Sequence, residues 1–99
     1  MISRHVSKTG RFFRVTFRVP SDAVAAEGLA VVGDFNDWDP GADPLVRRKN
    51  GAWSATVSIP GGRSYRFRYL ADGAHWITDP DADRHVPNRF GSFDGVLDL

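Results

Sequence analysis

Cysteine is absent from the 99 residues, which excludes disulfide staples and thiolate metal sites. Glutamate is almost absent: Glu27 stands alone among twelve acids, and the rest are aspartates. An excess of either charge is missing too, since thirteen Lys and Arg face twelve acids for a formal net charge of +1. No strong field therefore draws the chain to nucleic acid or to an anionic membrane. There is no run of about 18 apolar residues, so no membrane span is expected. The N-terminal Met-Ile-Ser-Arg-His-Val has no apolar core of a signal peptide, which makes a cytoplasmic protein the expectation. Gly-x-Ser-x-Gly, Walker and Gly-x-Gly-x-x-Gly motifs are all missing.

What is present is a series of short alternating segments. Arg11 to Pro20 places Phe13, Val15, Phe17 and Val19 on one face and Phe12, Arg14, Thr16 and Arg18 on the other, the period of a half-buried strand. Ser21 to Gly28 is a small, Ala-rich stretch for a loop or one helical turn. Leu29 to Val32 is a short apolar strand, and Asp34 to Pro44 is a loop dense in Asp, Asn, Gly and Pro. Leu45 to Arg48 leads into Asn50-Gly51, a strong hairpin signal. The return strand sets Trp53, Ala55, Val57 and Ile59 against Ser54, Thr56 and Ser58. After Pro60-Gly61-Gly62, the strand Ser64 to Ala71 alternates Tyr65, Phe67 and Tyr69 with Arg66, Arg68 and Leu70. Asp72-Gly73 turns the chain into His75 to Thr78. Asp79 to Arg89 is expected as a loop, and Gly95 to Leu99 as the last strand. About seven short strands at this spacing predict an all-β, immunoglobulin-like antiparallel sandwich formed by residues 1–99 as a single domain.

A catalytic site finds little support. Asp79, Asp81 and Asp83 have the spacing of a calcium loop, but Arg84 and Phe90 occupy the positions that require Gly and Glu. The Asp34 loop fails in the same way, with Trp38 and Leu45 at ligand positions, and Asp-rich turns are explained by side chains bonding nearby backbone N–H groups. His5, His75 and His85 show no metal-ligand spacing. A glycosidase needs two carboxylates flanking a bond, and no pair stands out. The interleaved Arg and Phe of Arg11 to Arg18 match an RNA-stacking strand only at Val15-Thr16-Phe17, which favours a solvated arginine face. The expectation is no catalysis and no cofactor.

Trp38 and Trp76 are different. Each follows a strand-like run in a polar, turn-rich setting with no evident core to enter. An indole offers a flat apolar face and one N–H donor at low entropic cost, so two on one side of a β domain make a platform for a flat, hydroxyl-rich ligand such as a sugar. Trp53, by contrast, alternates with Ala55, Val57 and Ile59 and belongs to the core, as do Tyr65, Phe67 and Tyr69. Phe35 is expected to anchor its loop.

The ordered series Val32-Gly33-Asp34-Phe35-Asn36-Asp37-Trp38, Leu45, Gly51-Ala52-Trp53, Pro60-Gly61-Gly62-Arg63-Ser64-Tyr65-Arg66-Phe67, Asp72-Gly73, Trp76 and Asp79-Pro80 resembles carbohydrate-binding module family 48. That family includes the early-set sandwich of the glycogen-binding domain of the AMP-activated protein kinase β subunit and modules preceding the catalytic domains of isoamylases and branching enzymes. The resemblance runs from about Val31 to Leu99. It implies a non-catalytic module that binds α-1,4-glucan, that is glycogen or maltooligosaccharide, and assists a glycogen-metabolism enzyme or a kinase.

Residue by residue, the resemblance implies that Trp38 and Trp76 stack on glucose rings and that Arg66 bonds sugar hydroxyls. Phe90 would enter the curve of the glucan, and Ser92 and Asp94 would bond the sugar. Arg66 stands where the kinase-type pattern has Lys, and Asp94 where it has Asn. The latter change removes amide donors and adds a charge. One extra residue lies between Gly73 and Trp76. The alternative from another class is a protein-docking domain that keeps the fold without the sugar; a small sugar hydrolase is the third reading. With Met at its start and a strand at its end, the chain is expected to stand alone.

Overall fold

Nine strands form two antiparallel sheets in the computed structural model, which describes residues 2–99. In the first sheet, β1 (Ile2–Val6), β2 (Phe12–Val19), β5 (Trp53–Pro60) and β4 (Val46–Arg47) lie side by side in that order. In the second the order is β3 (Leu29–Gly33), β6 (Ser64–Ala71), β9 (Phe93–Asp98) and β8 (Arg84–Pro87). The short β7 (His75–Ile77) pairs with the far end of β6. This is the expected immunoglobulin-like sandwich, with two strands more than the sequence announced.

Both extra strands are sheet edges. Ile2–Val6 and Arg84–Pro87 carry no fully buried residue, so neither needed the apolar alternation by which strands are recognised. The stretch expected as a loop from Asp79 to Arg89 therefore contains β8. No helical turn forms over Ser21–Gly28; Ala23 N–H donates to Pro20 O at 3.1 Å to close a turn instead. Among the described residues no helix is long and apolar enough to cross a membrane.

Alternation holds where it was clearest. In β2, Val15, Phe17 and Val19 are buried while Arg14 and Arg18 are exposed. From the second sheet, Tyr65, Phe67, Tyr69 and Leu97 face them, with Trp53 and Ile59 from β5 filling the same layer. The aromatic centre is tightly organised: Phe17 lies 5.4 Å from Phe67 and 5.7 Å from Phe35, centroid to centroid. Phe35 thus pins its loop to the core, as expected. Burial of each such ring contributes about 1.5–3 kcal/mol.

The outer face of the second sheet departs from simple alternation. Val32 and Leu70 point away from the intersheet core by register with Arg68 and Trp76, yet they are 0% and 7% exposed. Loops lie over this face, which explains why Leu29 to Val32 is apolar without a break. Arg68, on the same face, lines the candidate site.

Two polar clusters lock the frame. Tyr69 Oη donates to Asp79 Oδ2 at 2.6 Å inside the protein. Burial, then the adjacent carboxylate, pushes the phenol far above its ordinary value. At the open side, Arg4 of β1 binds Asp83 with both terminal nitrogens at 2.9 Å and so bridges the two sheets. Arg84 binds Asp98 at 2.7 Å.

Candidate functional site

Two loops and the face of the second sheet converge on a shallow cleft of about 550 Å³, lined by Trp38, Arg68, Trp76, Asn88, Arg89, Phe90 and Asp94. The first wall is the segment after β3. Gly33 must be glycine, because a Cβ there would strike Arg66 O and come within 2.8 Å of Phe67 Cβ. Past it, Asp34–Asn36 form one 3-10 turn. Asn36 holds that turn with its side chain, accepting from Gly33 N–H at 3.0 Å and donating to Val31 O at 3.0 Å and Asp43 Oδ2 at 2.9 Å. Asp37 and Trp38 then adopt left-handed backbone, with φ of 57° and 56°. A bulky residue in that region carries strain that the surroundings must hold. Here the Trp38 N–H donates to Gly33 O at 2.9 Å, and the indole Nε1–H donates to Asp34 Oδ1 at 2.9 Å.

Trp76 arrives from the β6–β7 hairpin. Asp72 and Gly73 both have positive φ, 52° and 67°, and with Ala74 they make a three-residue connection between Ala71 and its partner His75. The Asp72 carboxylate fixes this corner by accepting the N–H groups of Glu27 and Gly28 at 3.0 and 2.9 Å. Trp76 pairs with Leu70 across the hairpin and so faces outward at 47% exposure. Its ring centroid lies 6.4 Å from that of Trp38, with the two planes at 57°. The two indoles make an angled, concave apolar wall.

The opposite wall is the β8–β9 turn. Asn88 Oδ1 accepts the N–H groups of Phe90 and Ser92 at 2.9 and 3.2 Å, and its amide donates to Asp94 Oδ1 at 3.1 Å. This holds Phe90 out at 77% exposure. A large apolar ring left so open, beside two indoles, signals a contact surface. The Arg89 guanidinium lies 5.1 Å from the Phe90 ring centroid.

Six residues were expected at the site, and four of them line the cleft: Trp38, Trp76, Phe90 and Asp94. Arg66 and Ser92 are not among its lining residues but contact ones that are. Arg66 Nη1 sits 3.6 Å from Asp94 Oδ2, and Ser92 Oγ accepts from Arg68 Nη2 at 3.3 Å. The basic residues in the cleft itself are Arg68 and Arg89; the Arg68 guanidinium carbon lies 5.6 Å from the Trp76 ring centroid. Arg68 shares a strand face with Arg66, so alternation could not separate them; the pairing of Leu70 with Trp76 does. Asn88 and Arg89 carried no sequence signal beyond a loop position. Trp53 is 4% exposed and remains in the core.

Chemically, the cleft offers apolar faces, two guanidinium groups, an amide and one carboxylate acceptor. Its lining contains a single carboxylate, Asp94, rather than the pair that glycoside cleavage requires. The arrangement suits binding.

Comparison with known proteins agrees. The profile of the family described as carbohydrate-binding module 48 (isoamylase N-terminal domain) matches residues 5–82, so the turn bearing Phe90, Ser92 and Asp94 lies beyond the matched stretch. The 1,4-alpha-glucan branching enzyme of Salinibacter ruber is 36% identical over 98 residues, covering 96% of this chain and 15% of that enzyme. Those of Deinococcus radiodurans and Nitrobacter winogradskyi are 41% and 45% identical over 56% and 50% of this chain, or 8% and 7% of the enzymes. The chain thus spans no more than 15% of the length of these curated relatives. Profile and sandwich together lead to one assignment: the chain belongs to the carbohydrate-binding module 48 family.

Proposed function

We propose that residues 1–99 act as one module that binds α-1,4-glucan of the glycogen or maltooligosaccharide kind in the cleft between Trp38, Trp76 and Phe90, without catalysis of its own. The carrying observation is the pair of indoles at 6.4 Å with planes at 57°. An α-1,4-glucan is a curved chain whose sugar rings expose apolar C–H faces. An angled pair of flat walls follows that curve, whereas a flat β-linked chain meets only one of them.

Phe90 enters the concave side of the chain, and Arg68, Asn88 and Asp94 exchange hydrogen bonds with its hydroxyls. Two stacked indoles and a few hydrogen bonds, with the association cost already set against them, leave about 4–5.5 kcal/mol, a dissociation constant of roughly 0.1–1 mM. Such affinity is adequate on a polymer that repeats the same epitope. The module holds glucan for an attached or associated glycogen-metabolism enzyme or kinase, in the cytoplasm.

Titration with maltoheptaose or β-cyclodextrin, followed by tryptophan fluorescence, tests this reading. The expected result is saturable quenching or enhancement at millimolar sugar, absent with cellohexaose and lost in Trp38→Ala and Trp76→Ala. No response to either α-glucan ligand overturns it, and release of glucose overturns the non-catalytic assignment.

A further inference from the structure

The first sheet carries a feature that glucan binding does not use. Its strands β1, β2, β4 and β5 contain no acidic residue at all. The hairpin residues 7–11 and 48–52 contain none either. Every acid of the chain falls between residues 22 and 43 or between 72 and 98, in the loops and the second sheet.

Register shows what the outer face of this sheet presents. His5 lies opposite Arg14 and Arg14 opposite Ser58; Ser3, Thr16 and Thr56 form the next row; Arg18 lies opposite Ser54. Thr16 and Thr56 hydroxyls bond at 2.9 Å across that row. At one end Arg18, Arg48, Lys49, Asn50, Ala52 and Ser54 line a depression of about 380 Å³, where Arg48 Nε is braced on Ser54 Oγ at 2.7 Å.

The second sheet pairs two of its arginines, Arg66 and Arg84, with aspartates. Among the described residues the ion pairs are Arg4–Asp83, Arg66–Asp94 and Arg84–Asp98; Arg14, Arg18, Arg48 and Lys49 enter none. Cations clustered on one strand and one hairpin, none of them in an ion pair, leave a local positive potential that the net charge of +1 conceals.

We propose that this outer face, centred on Arg14, Arg18, Arg48 and Lys49, docks the carboxylate-rich surface of a protein partner while the cleft on the opposite side of the sandwich stays open. Guanidinium groups match carboxylates in a bidentate manner, and rows of hydroxyls fill the polar contacts between two folded surfaces. A nucleic-acid strand fits less well. Neither Trp nor Tyr stands on this face; its rings are Phe12, at the far edge opposite Pro60, and the His5 imidazole opposite Arg14, so bases find only a small stacking platform. The acidic loops elsewhere on the chain also repel a long polyphosphate.

The test is fluorescence anisotropy of a labelled glutamate-rich peptide at low salt, with the intact chain. Arg18→Ser and Arg48→Ser should each weaken binding about fivefold, whereas Arg84→Ser, which removes the same charge from the second sheet, should change it less than about twofold. Saturating maltoheptaose should leave the peptide bound. Absence of peptide binding, or equal loss in all three variants, overturns the proposal. Tighter binding of oligodeoxythymidylate through the same arginines overturns it in favour of nucleic acid. Failure of maltoheptaose to bind sinks the glucan reading alone, since the peptide measurement does not depend on it.

Discussion

One carboxylate joins the cleft-lining ring of Trp38 to the backbone of Arg66: Asp34 Oδ1 accepts the indole N–H at 2.9 Å, and Oδ2 accepts the Arg66 N–H at 2.8 Å. The indole is thereby referenced to β6, the strand that also carries Arg68. Asp34→Ala should lower maltoheptaose affinity about three- to tenfold although Asp34 is not among the cleft-lining residues, because the ring must be ordered anew on each binding event. Fluorescence titration measures it. An unchanged affinity would mean that the strained backbone at Trp38 holds the ring unaided.

The two arginines of β6 should separate cleanly. Arg68→Ala removes the cation beside Trp76 and its bond to Ser92, and should weaken glucan binding about tenfold. Arg66→Ala removes only a loose contact with Asp94 at 3.6 Å and should cost less than about twofold. Isothermal titration of both variants decides which residue meets the sugar.

That pair shows how far the sequence could be followed. The alternation of β2, β5 and β6 was legible because one face of each is buried against a core and the other is not. The edges β1 and β8 were not legible, since an edge strand is held by backbone bonds to one neighbour and needs no apolar face. For the site, the turn-borne indoles announced themselves by being apolar where no core was evident, whereas Phe90 was reached only through the family resemblance. Arg68 did not, because residues two apart on a strand share a face, and only register shows which lies beside Trp76. Asn88 acts through three hydrogen bonds that close its own turn, and a lone Asn in a loop carries no trace of that.

Gly33→Ala probes the site through sterics. Its backbone is extended, with φ of −174°, so no conformational penalty is involved; the new methyl collides with Arg66 O and with Phe67 and Phe35. A loss of about 1–3 kcal/mol is expected, with weaker glucan binding as the Trp38 segment is pushed off β6. Thermal melts and a sugar titration on the same sample report both.

Alkaline stability should follow Tyr69. Its folded value is raised above the unfolded 10.0 by burial and by Asp79, so its contribution is complete below pH 10.0 and is lost as pH rises further. Tyr69→Phe leaves the buried Asp79 carboxylate without that donor and should cost about 1.5–3 kcal/mol at neutral pH. It should also flatten the alkaline limb of a denaturation profile. A variant with the wild-type limb would place the titration elsewhere.

Acid stability has the opposite sign. The Arg84 hydrogen bond, with help from Ser64, holds the Asp98 carboxyl well below its ordinary 3.8, and Arg4 lowers Asp83. Both groups therefore stabilise the fold above about pH 4, and that stability is lost as pH falls toward their folded values. Asp98 and Asp83 are solvent-facing, so added salt should shrink the effect. Arg84→Ala should make the acid limb shallower, as followed by urea midpoints between neutral and acid pH.

The angle and spacing of Trp38 and Trp76 have an optical consequence. Two indoles 6.4 Å apart at 57° are close enough for their excited states to couple, and a skewed arrangement gives that coupling a handedness. The chain thus carries its own chiroptical reporter: an exciton couplet in circular dichroism that either single substitution abolishes, and that any guest wedged against both rings must reshape.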